Sequence, residues 1–313
     1  VASLNPKQNN LFYSYYLVTY NKKRFSVYSQ GTTYDAINRD EIANTKLPFT
    51  KNKPEQQKIA TILSNVDSLI NQTQKIIDQT IQLKKGLMQK LLTRGIGHTE
   101  FKEIGLIPEY LKIKIPKEWK ILPLNDLITQ SISYGIILHN DDEDGVPVIT
   151  SAALDKPDGI KNNLIYVSKN IEEKYKRTRL NGGEILISLV GYTGNIAVAP
   201  DWCKNYNVTR HVGVIRLKKE FNANYFAYLL QSESYQKKIN IMTIGSAQPV
   251  INLGELSKFI LPIPALNEQQ KIATILSNVD SQIQKQQECK SKLESLKKGL
   301  MQKLLTGQIR VKV

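Results

Sequence analysis

Apolar residues recur at alternating spacings of three and four along two stretches of the chain, residues 55–93 and 268–306. This spacing is typical of helices that pack along their length through one apolar seam. The sequence therefore predicts two long helices, each about forty residues and ~60 Å long at 1.5 Å per residue. The predicted seam residues are Ile59, Ile62, Val66, Leu69, Ile76, Leu83 and Leu87 in the first helix, and Ile272, Ile275, Val279, Leu293, Leu296 and Leu300 in the second.

The two helices are copies of one another. Residues 55–68 read EQQKIATILSNVDS, and residues 268–281 repeat them without a change. The run LKKGLMQKLLT at residues 83–93 returns at residues 296–306, at the same offset of 213 residues that separates Glu55 from Glu268. Unrelated surface helices would need an apolar stripe but not the same fourteen residues, so the repeat indicates a duplicated module. Gln282 and Gln286 interrupt the second seam, and polar seam residues favour a role in register or partner choice.

The duplication extends upstream of the helices. An aromatic, helix-like stretch at residues 11–20, an Ile-Asn pair at residues 37–38 and a Leu-Pro pair at residues 47–48 have counterparts at residues 225–235, 251–252 and 261–262. Residues 1–53 therefore correspond to the end of a larger unit, of which residues 98–262 hold a more complete copy. We interpret the first copy as truncated or rearranged; a complete small N-terminal domain is the alternative.

The region between the helices is mixed. Three prolines exclude a continuous helix across residues 98–123. Beyond them, short β-rich runs separated by glycine turns precede a helical pattern at residues 223–238, which predicts an α+β globular domain. The predicted strands are 146–150, 164–167, 184–190, 195–199 and 212–217.

Charge and composition restrict the classes of partner and the cellular location that we expect for this chain. The chain of 313 residues has a net charge of +15 and a pI near 9.5, which favours a polyanionic partner such as nucleic acid. It contains no run of eighteen apolar residues and no basic-then-apolar start, so we expect neither a membrane span nor a secretory signal. Two cysteines, Cys203 and Cys289, fit a reducing compartment, and the predicted location is the cytoplasm.

Catalytic motifs are weak. The phosphate-binding motif GxxxxGK[ST] does not occur, and His98, His139 and His211 have no metal-ligand spacing, so no metal or cofactor site is predicted in this chain. Asp158, Glu172 and Lys174 match the loose spacing of metal-dependent nucleases, in which two carboxylates hold a divalent ion that activates water. A charged helical segment surrounds Glu172 where such enzymes need a hydrophobic strand. A stand-alone nuclease is therefore the weaker alternative.

Candidate nucleic-acid contacts fall into two kinds. A basic cluster with an interleaved tyrosine at residues 174–179 suits phosphate contact, although an ordinary solvated face has the same composition. Three turns carry polar side chains that can reach base edges, although turn chemistry alone explains them equally well. The predicted DNA-binding residues are Lys174, Tyr175, Lys176, Arg177, Arg179, Tyr192, Thr193, Asn195, Arg210, His211, Ser246 and Gln248.

Several motifs together carry a resemblance to a known family. They are the doubled EQQKIATILSNVDS…LKKGLMQKLLT, the helix exit LLTRGIGHTEFK followed by IGLIPE, the domain entry IPKEW, the Gly-Ser-x-Gln…Ile-Asn loop, and LPIPALNEQQKIA leading into the second helix. With these motifs the chain resembles the specificity subunit of type I DNA restriction–modification systems. The resemblance covers nearly the whole chain, but inside the globular domain only the frame is recognised.

The resemblance implies a non-catalytic, DNA-reading subunit. Members of this family place two target recognition domains at opposite ends of two long antiparallel coiled-coil helices, and each domain reads one half of a split DNA sequence. The helices set the spacing and dock methyltransferase subunits, which bring S-adenosylmethionine; restriction subunits, which use ATP and Mg, join them. The implied fold is a globular recognition domain joined to the helix pair.

The implied division of the chain departs from the family in one respect. Residues 1–53 correspond to the C-terminal remnant of a first recognition domain, 54–97 to the first helical spacer, 98–262 to a complete recognition domain and 263–313 to the second spacer. With one complete domain, the chain is expected to read one half-site of double-stranded DNA. Self-association of two chains through the helices would restore a two-domain reader. A coiled-coil scaffold that binds protein is the remaining alternative.

Overall fold

The structure is a computed structural model that describes residues 9–26, 40, 45–107, 110–137, 145–155, 159–243 and 249–312. It divides into two compact units, one formed by residues 1–81 and 282–313 and the other by residues 82–281. Each long helix contributes to both units. In the described part of the chain, no helix is both long enough and apolar enough to cross a membrane.

The secondary structure follows the predicted order. The helices are α1 (Leu11–Tyr20), α2 (Lys22–Ser26), α3 (Lys53–Arg94), α4 (Leu124–Leu127), α5 (Gly159–Asn162), α6 (Lys169–Glu173), α7 (Ala223–Gln231), α8 (Glu233–Thr243), α9 (Leu253–Ser257) and α10 (Leu266–Leu305). The strands are β1 (Phe101–Ile107), β2 (Leu111–Pro116), β3 (Lys120–Pro123), β4 (Ser133–Tyr134), β5 (Val146–Ile149), β6 (Leu164–Val167), β7 (Ile185–Ser188), β8 (Ile196–Val198), β9 (Asn207–Val208), β10 (Val212–Ile215) and β11 (Ile260–Ile263).

The two long helices are confirmed. α3 has 42 residues and α10 has 40, and both carry a glutamate in the first turn. Gly95 and Gly307, just beyond the two ends, have φ angles of 63° and 75°. A glycine in this left-handed conformation is a common helix terminator, because residues with a Cβ are strained there.

The seam of α3 differs from the prediction by one residue in alternate turns. Ile59 and Val66 are buried as predicted, and Ile62 and Leu87 are half-buried. Leu69, Ile76 and Leu83, however, are exposed at 48%, 45% and 55%. The prediction is wrong at these three positions because spacing alone does not choose between neighbours: Ile70 and Ile77 offer apolar alternatives to Leu69 and Ile76, and at Leu83 the aliphatic stem of Lys84 takes the place. The buried or half-buried stripe runs instead through Ile59, Leu63, Val66, Ile70, Thr73, Ile77, Thr80, Lys84, Leu87 and Leu91.

The seam of α10 shows the same displacement. Ile272 and Val279 are buried and Leu293 and Leu300 are half-buried, as predicted, but Ile275 and Leu296 are exposed. Their places in the stripe are taken by Leu276, which is fully buried, and by Lys297, which is half-buried. A lysine is tolerated there because its aliphatic stem packs while its ammonium group reaches a polar partner.

Within each unit the helix segments run antiparallel. In the first unit, Lys290 Nζ donates to Gln74 Oε1 at 2.7 Å, and Lys297 Nζ lies 2.6 Å from Asp67 Oδ1. In the second unit, Lys84 Nζ lies 2.7 Å from Asp280 Oδ1. A later residue on one helix thus meets an earlier residue on the other, which confirms the antiparallel pairing.

The second unit contains the predicted α+β domain. Its central sheet has the order β4-β10-β7-β8, with antiparallel pairing throughout. Ile185 and Ile187 of β7 belong to the core that includes α7, while Leu186 between them belongs to a second core on the opposite face. This alternation is the two-residue period of a strand, so the sheet is covered on both faces. A three-stranded sheet, β6-β5-β9, and the two-stranded pairs β1-β2 and β11-β3 complete the unit.

The predicted strands are confirmed, but the helix predicted at residues 223–238 is two helices. Ser232 between α7 and α8 has the extended conformation φ −63°, ψ 151° and caps the end of α7 through its backbone. α7 packs on the sheet through Phe226 and Leu230, both fully buried. In the first unit α1, the counterpart of α7, packs on the helix pair through Tyr13, Tyr16 and Leu17.

Candidate nucleic-acid interface

Several loops meet at one end of the four-stranded sheet. Leu189, just after β7, donates its backbone N–H to His211 O at 2.8 Å, and Ile251 donates to Leu189 O at 2.9 Å. Arg210, just before β10, donates to Ile136 O at 2.8 Å. The segments that follow β4 and β7 and the segment that precedes β10 therefore lie side by side. We call this region, with Tyr134–Ile137, 189–195, 210–211 and 249–251, the loop end of the sheet.

The loop end brings together turns that the sequence analysis could only name separately. Residues 191–195 and residues 210–211 both lie there. Val190 also forms an antiparallel bridge with Val250, the second residue after the segment 244–248. Ser246 and Gln248 themselves lie outside the described residues, so their assignment stays a prediction.

The turn at residues 191–195 presents one aromatic side chain to solvent. Ser188 Oγ donates to Tyr192 O at 2.6 Å and accepts from Asn195 N at 2.8 Å, which closes the turn from inside. Gly191 and Gly194 have φ angles of 79° and 85°, which permit the tight reversal. The Tyr192 side chain is 88% exposed, so it is free to contact a partner.

Two further polar residues of this turn are less free. Thr193 is half-buried. The Asn195 side chain is also half-buried, and its Nδ2 donates to Asp155 Oδ1 at 3.4 Å. Both remain predicted contacts, but Tyr192 is the residue of this turn that the fold presents most fully.

Arg210 and His211 form a neighbouring pair. The Arg210 Nε donates to His211 Nε2 at 3.1 Å, an arrangement that needs a lone pair on that nitrogen and hence a neutral imidazole. Burial, and then the positive charge of Arg210, lower the pKa of His211 below its ordinary value of 6.5. The pair therefore presents an exposed, oriented guanidinium group beside a neutral ring at neutral pH.

The basic cluster at residues 174–179 separates into two groups. Lys176 forms an ion pair with Glu173, and Arg179 is held by Glu172 and Glu173. These contacts, the hydrogen bond to Glu172 first, raise the pKa of Arg179. Lys176 and Arg179 thus have carboxylate partners within the fold, which leaves less of their charge available to a polyanion.

The other two cations of the cluster line a cavity. Lys174 and Arg177 face a cavity of about 280 Å³ whose lining contains no carboxylate. Both Arg177 Nε and Arg177 Nη2 donate to Ser133 Oγ, at 3.1 Å and 2.6 Å. The lining residues are Ile132, Ser133, Tyr134, Lys174, Tyr175, Arg177, Thr178 and Leu253. Ser133 and Tyr134 were not predicted, because the stretch SISYG gives no signal in the sequence until β4 places it beside Arg177.

The nuclease pattern does not assemble in the described residues. Glu172 is buried, and its Oε1 accepts from Arg179 Nε at 2.8 Å and from Asn207 Nδ2 at 3.0 Å. Asp158 lies outside the described residues. Across the described ranges, no group of three His, Cys, Asp or Glu side chains is placed to hold a metal ion. Glu172 therefore orders a basic segment of the fold.

An α+β domain on an antiparallel helix pair, in a chain with a surplus of positive charge and with exposed polar loops at one end of the domain's sheet, defines a class of modular recognition subunit. The family model described as Type I restriction modification DNA specificity domain matches residues 1–82 and 116–295. The chain belongs to this family. It is a DNA specificity subunit of the type I restriction–modification kind, which is not the catalytic component.

Individual relatives agree with the family. The chain is 29% identical over 308 residues to the type I restriction enzyme MjaVIII specificity subunit of Methanocaldococcus jannaschii, covering 96% of this chain and 70% of that protein. It is 30% identical over 322 residues to a putative type I restriction enzyme MjaX specificity subunit of the same organism, covering 99% and 71%. It is 25% identical over 276 residues to the EcoBI specificity subunit of Escherichia coli, covering 84% and 57%.

Solved structures share the fold. The type I restriction-modification S subunit from M. genitalium superposes with a TM-score of 0.63 at 19% identity, covering 96% of this chain and 74% of that one. The HsdS subunit from Thermoanaerobacter tengcongensis gives a TM-score of 0.51 at 16% identity, covering 97% and 72%. The domain-on-helix-pair architecture predicted from the sequence is thereby confirmed.

Proposed function

We propose that this specificity subunit reads one half-site of a bipartite double-stranded DNA target through the loop end of its four-stranded sheet. The observation that carries the proposal is the convergence of residues 191–195 and 210–211 at that end. An exposed arginine can donate two hydrogen bonds to a guanine edge, and an exposed tyrosine can pack on a base or sugar. The surplus of positive charge supplies the sequence-independent attraction to DNA.

We assign reading and holding to different residues. Tyr192, Arg210 and His211, with Ser246 and Gln248 predicted nearby, are the proposed readers of base edges. Lys174 and Arg177 are the proposed phosphate contacts, because the cavity that they line offers them no carboxylate. Lys176 and Arg179 contribute mainly by ordering the segment.

We further propose that the helices dock the methyltransferase subunits of the complex. Leu69 and Ile76 of α3 are exposed, lie seven residues apart and stand outside the intramolecular seam. A heptad-spaced apolar ridge is what a second helix packs against. The equivalent positions of α10 are Gln282 and Cys289, so the α3 ridge is the stronger candidate.

The cofactors of the reaction belong to the partners in this proposal. Methyltransferase subunits would bring S-adenosylmethionine, and restriction subunits would bring ATP and Mg. Pairing of two chains through their helices stays a further proposal, which sedimentation of the assembled complex would test.

The test is to express the chain with its cognate methyltransferase subunit and to map the methylated positions of genomic DNA by single-molecule sequencing. We expect one defined motif for the wild-type complex and a change of a base in that motif for Arg210→Ala. Arg24→Ala, an exposed arginine remote in sequence from the loop end, is the control and should leave the motif unchanged. Methylation without a sequence motif would contradict the proposed function; an unchanged motif in Arg210→Ala would remove only the assignment of Arg210.

A further inference from the structure

We propose that the cavity lined by Lys174 and Arg177 seats one DNA backbone phosphate together with its deoxyribose. This inference rests on the proposed function and names the contact that sets the position of the domain on the duplex. It is distinct from base reading, because phosphates are the same at every position of a sequence.

The charges around the cavity favour an anion. Lys174 is exposed, and its ammonium group has no carboxylate in the cavity lining. Lys176, two residues later, lies against Glu173 instead. Two nearby lysines of one short segment thus differ in electrostatic surroundings: Lys174 lines a cavity without a carboxylate, and Lys176 has a carboxylate partner at the surface.

Arg177 is oriented for this role. Ser133 Oγ accepts from both Nε and Nη2 of the guanidinium group, which leaves the Nη1 side of the fork free of that contact. The backbone is also fixed, because Arg177 O accepts from Arg216 Nη1 at 2.8 Å and from Gln130 Nε2 at 3.3 Å. An oriented, planar donor group loses little conformational entropy on meeting a phosphate.

The size and the apolar half of the lining favour more than a bare anion. About 280 Å³ corresponds to roughly nine waters at ~30 Å³ each, room for a phosphate with an attached sugar. Ile132 and Leu253 supply apolar surface, and the exposed ring of Tyr134 stands at the loop end, where it can pack on a deoxyribose. Tyr134 lies on β4 opposite Gly213, so the seat is adjacent to the strands that carry the proposed readers.

The decisive experiment compares Lys174→Gln with Lys176→Gln in the complex with the cognate methyltransferase subunit. Both changes remove one positive charge from the same segment. We measure affinity for a duplex that contains the methylated motif and for an unrelated duplex, each over a series of salt concentrations. For Lys174→Gln we expect weaker binding to both duplexes alike and a log–log salt slope shallower by ~0.9, the value for one lost phosphate contact. Lys176→Gln should keep the wild-type slope.

Two further variants test the geometry. Arg177→Gln should make the log–log salt slope shallower, as Lys174→Gln does. Ser133→Ala removes the group that orients Arg177, so it should weaken binding to DNA while leaving the methylated motif unchanged. Arg177→Lys keeps the charge but not the fork, so it should recover the slope and only part of the affinity. If Ser133→Ala and Arg177→Gln both bind DNA as the wild type does, the proposal that this cavity holds a backbone phosphate is overturned.

The outcomes separate three cases. Equal behaviour of Lys174→Gln and Lys176→Gln, with a wild-type complex that binds DNA, overturns the seat but leaves the proposed function intact. A wild-type complex that binds no DNA overturns the proposed function itself. Titration of the complex with inorganic phosphate, followed by ³¹P NMR, covers the other source of the same chemistry: saturable phosphate binding with no difference between the lysine variants on DNA identifies a free-anion site and overturns the DNA assignment.

Discussion

In both units, a short helix upstream of a long helix (α7 or α1) makes the same contacts with the helix pair, although its opposite face differs between the two units. In the second unit, Tyr228 Oη donates to Asp280 Oδ2 at 2.7 Å, and Lys84, paired with Asp280, lies 5.3 Å from the centre of the Tyr228 ring. The first unit repeats this Lys–Tyr–Asp triad at 2.6 Å and 5.5 Å, with Tyr16, Asp67 and Lys297. The repetition indicates that the triad is part of how the module helix of each copy is joined to the helix pair.

The outward faces of the two module helices differ. In α7, Phe226 and Leu230 are fully buried in the core of the recognition domain. In α1, the corresponding positions are Ser14, which is small and buried, and Val18, which is 39% exposed; Leu11, Phe12 and Tyr15 are exposed as well. Helix-facing positions are therefore shared by both copies, and domain-facing positions are specific to each.

The helix starts differ in a further way. Glu268 accepts from Trp119 Nε1 at 3.1 Å and from Ile96 N at 2.8 Å, and it lies 3.0 Å from His98 Nε2. Glu55, its counterpart, is held by Arg310 at 2.6 Å and by Thr50 at 2.7 Å. The carboxylate at the start of each helix, buried for Glu55 and half-buried for Glu268, thus contacts the chain that leaves the opposite helix, but the partners in the two copies are chemically unlike.

The largest expected effect is the difference in stability between a variant in α7 and a variant in α1. Phe226→Ala removes a fully buried ring and should reduce the free energy of unfolding by about 3–5 kcal/mol. Phe12→Ala, at an exposed position of α1, should change it by less than about 0.5 kcal/mol. Urea denaturation followed by circular dichroism measures both; a comparable loss in the two variants would show that α1 buries its outward face in solution.

A second comparison, between the neighbours Ile77 and Ile76, tests which residues of α3 form the seam with α10. Ile77 is buried in α3, and Ile77→Ala should destabilise the chain by about 2–5 kcal/mol. Its neighbour Ile76 is exposed, so Ile76→Ala should have an effect within about 0.5 kcal/mol on the isolated chain. Ile76→Ala should nevertheless weaken binding of the methyltransferase subunit in calorimetry. The reverse order of stability losses would restore the originally predicted seam.

The triads should respond equally and independently. Tyr228→Phe and Tyr16→Phe each remove a hydrogen bond to a carboxylate, and each should cost about 1.5–3 kcal/mol. The two triads share no residue, so the double variant should show the sum of the two losses. Chemical denaturation of the three variants measures this; Tyr235→Phe, which removes a hydrogen bond to Ile260 O within the domain, is the control for loss of a buried hydroxyl.

The smallest expected effect concerns acid stability. The Arg310 guanidinium first, and then the Thr50 hydroxyl, lower the pKa of Glu55 below its ordinary value of 4.5. A carboxyl with a lowered folded-state pKa contributes stability above its unfolded pKa and loses it as the pH falls through the folded value. The melting temperature of the wild type should therefore fall more steeply below pH 4.5 than that of Glu55→Gln. Parallel curves would show that Glu55 is not coupled to folding.

Much of the architecture was readable from the sequence because duplication and heptad spacing are strong signals. The exact seam was not, since Leu69–Ile70 and Ile76–Ile77 each offer two apolar residues, Lys84 replaces Leu83 through its stem, and only packing against the partner helix decides. The helix predicted through Ser232 failed because propensity does not show where the fold requires a bend. The convergence at the loop end was not readable either, because it depends on the register of β4, β7 and β10.

The basic cluster illustrates the limit for the candidate site. The sequence does not distinguish the four cations Lys174, Lys176, Arg177 and Arg179. It also does not show which of them form ion pairs with Glu172 and Glu173. Folding pairs Glu172 and Glu173 with Arg179 and pairs Glu173 also with Lys176, and it turns Arg177 towards Ser133. The short helical turn sets the distances between these side chains, and those distances decide which cations are paired with carboxylates and which line the cavity.

The triads also have a consequence for alignment. Asp67 precedes Lys84 on α3 by seventeen residues, and Asp280 precedes Lys297 on α10 by the same interval. Within each unit, sliding one helix segment past the other by a single turn would displace the charge pair by about 5.4 Å, Asp67 from Lys297 in the first unit and Asp280 from Lys84 in the second. The triad of each unit thus fixes the alignment of its own two helix segments, and the same seventeen-residue interval serves both.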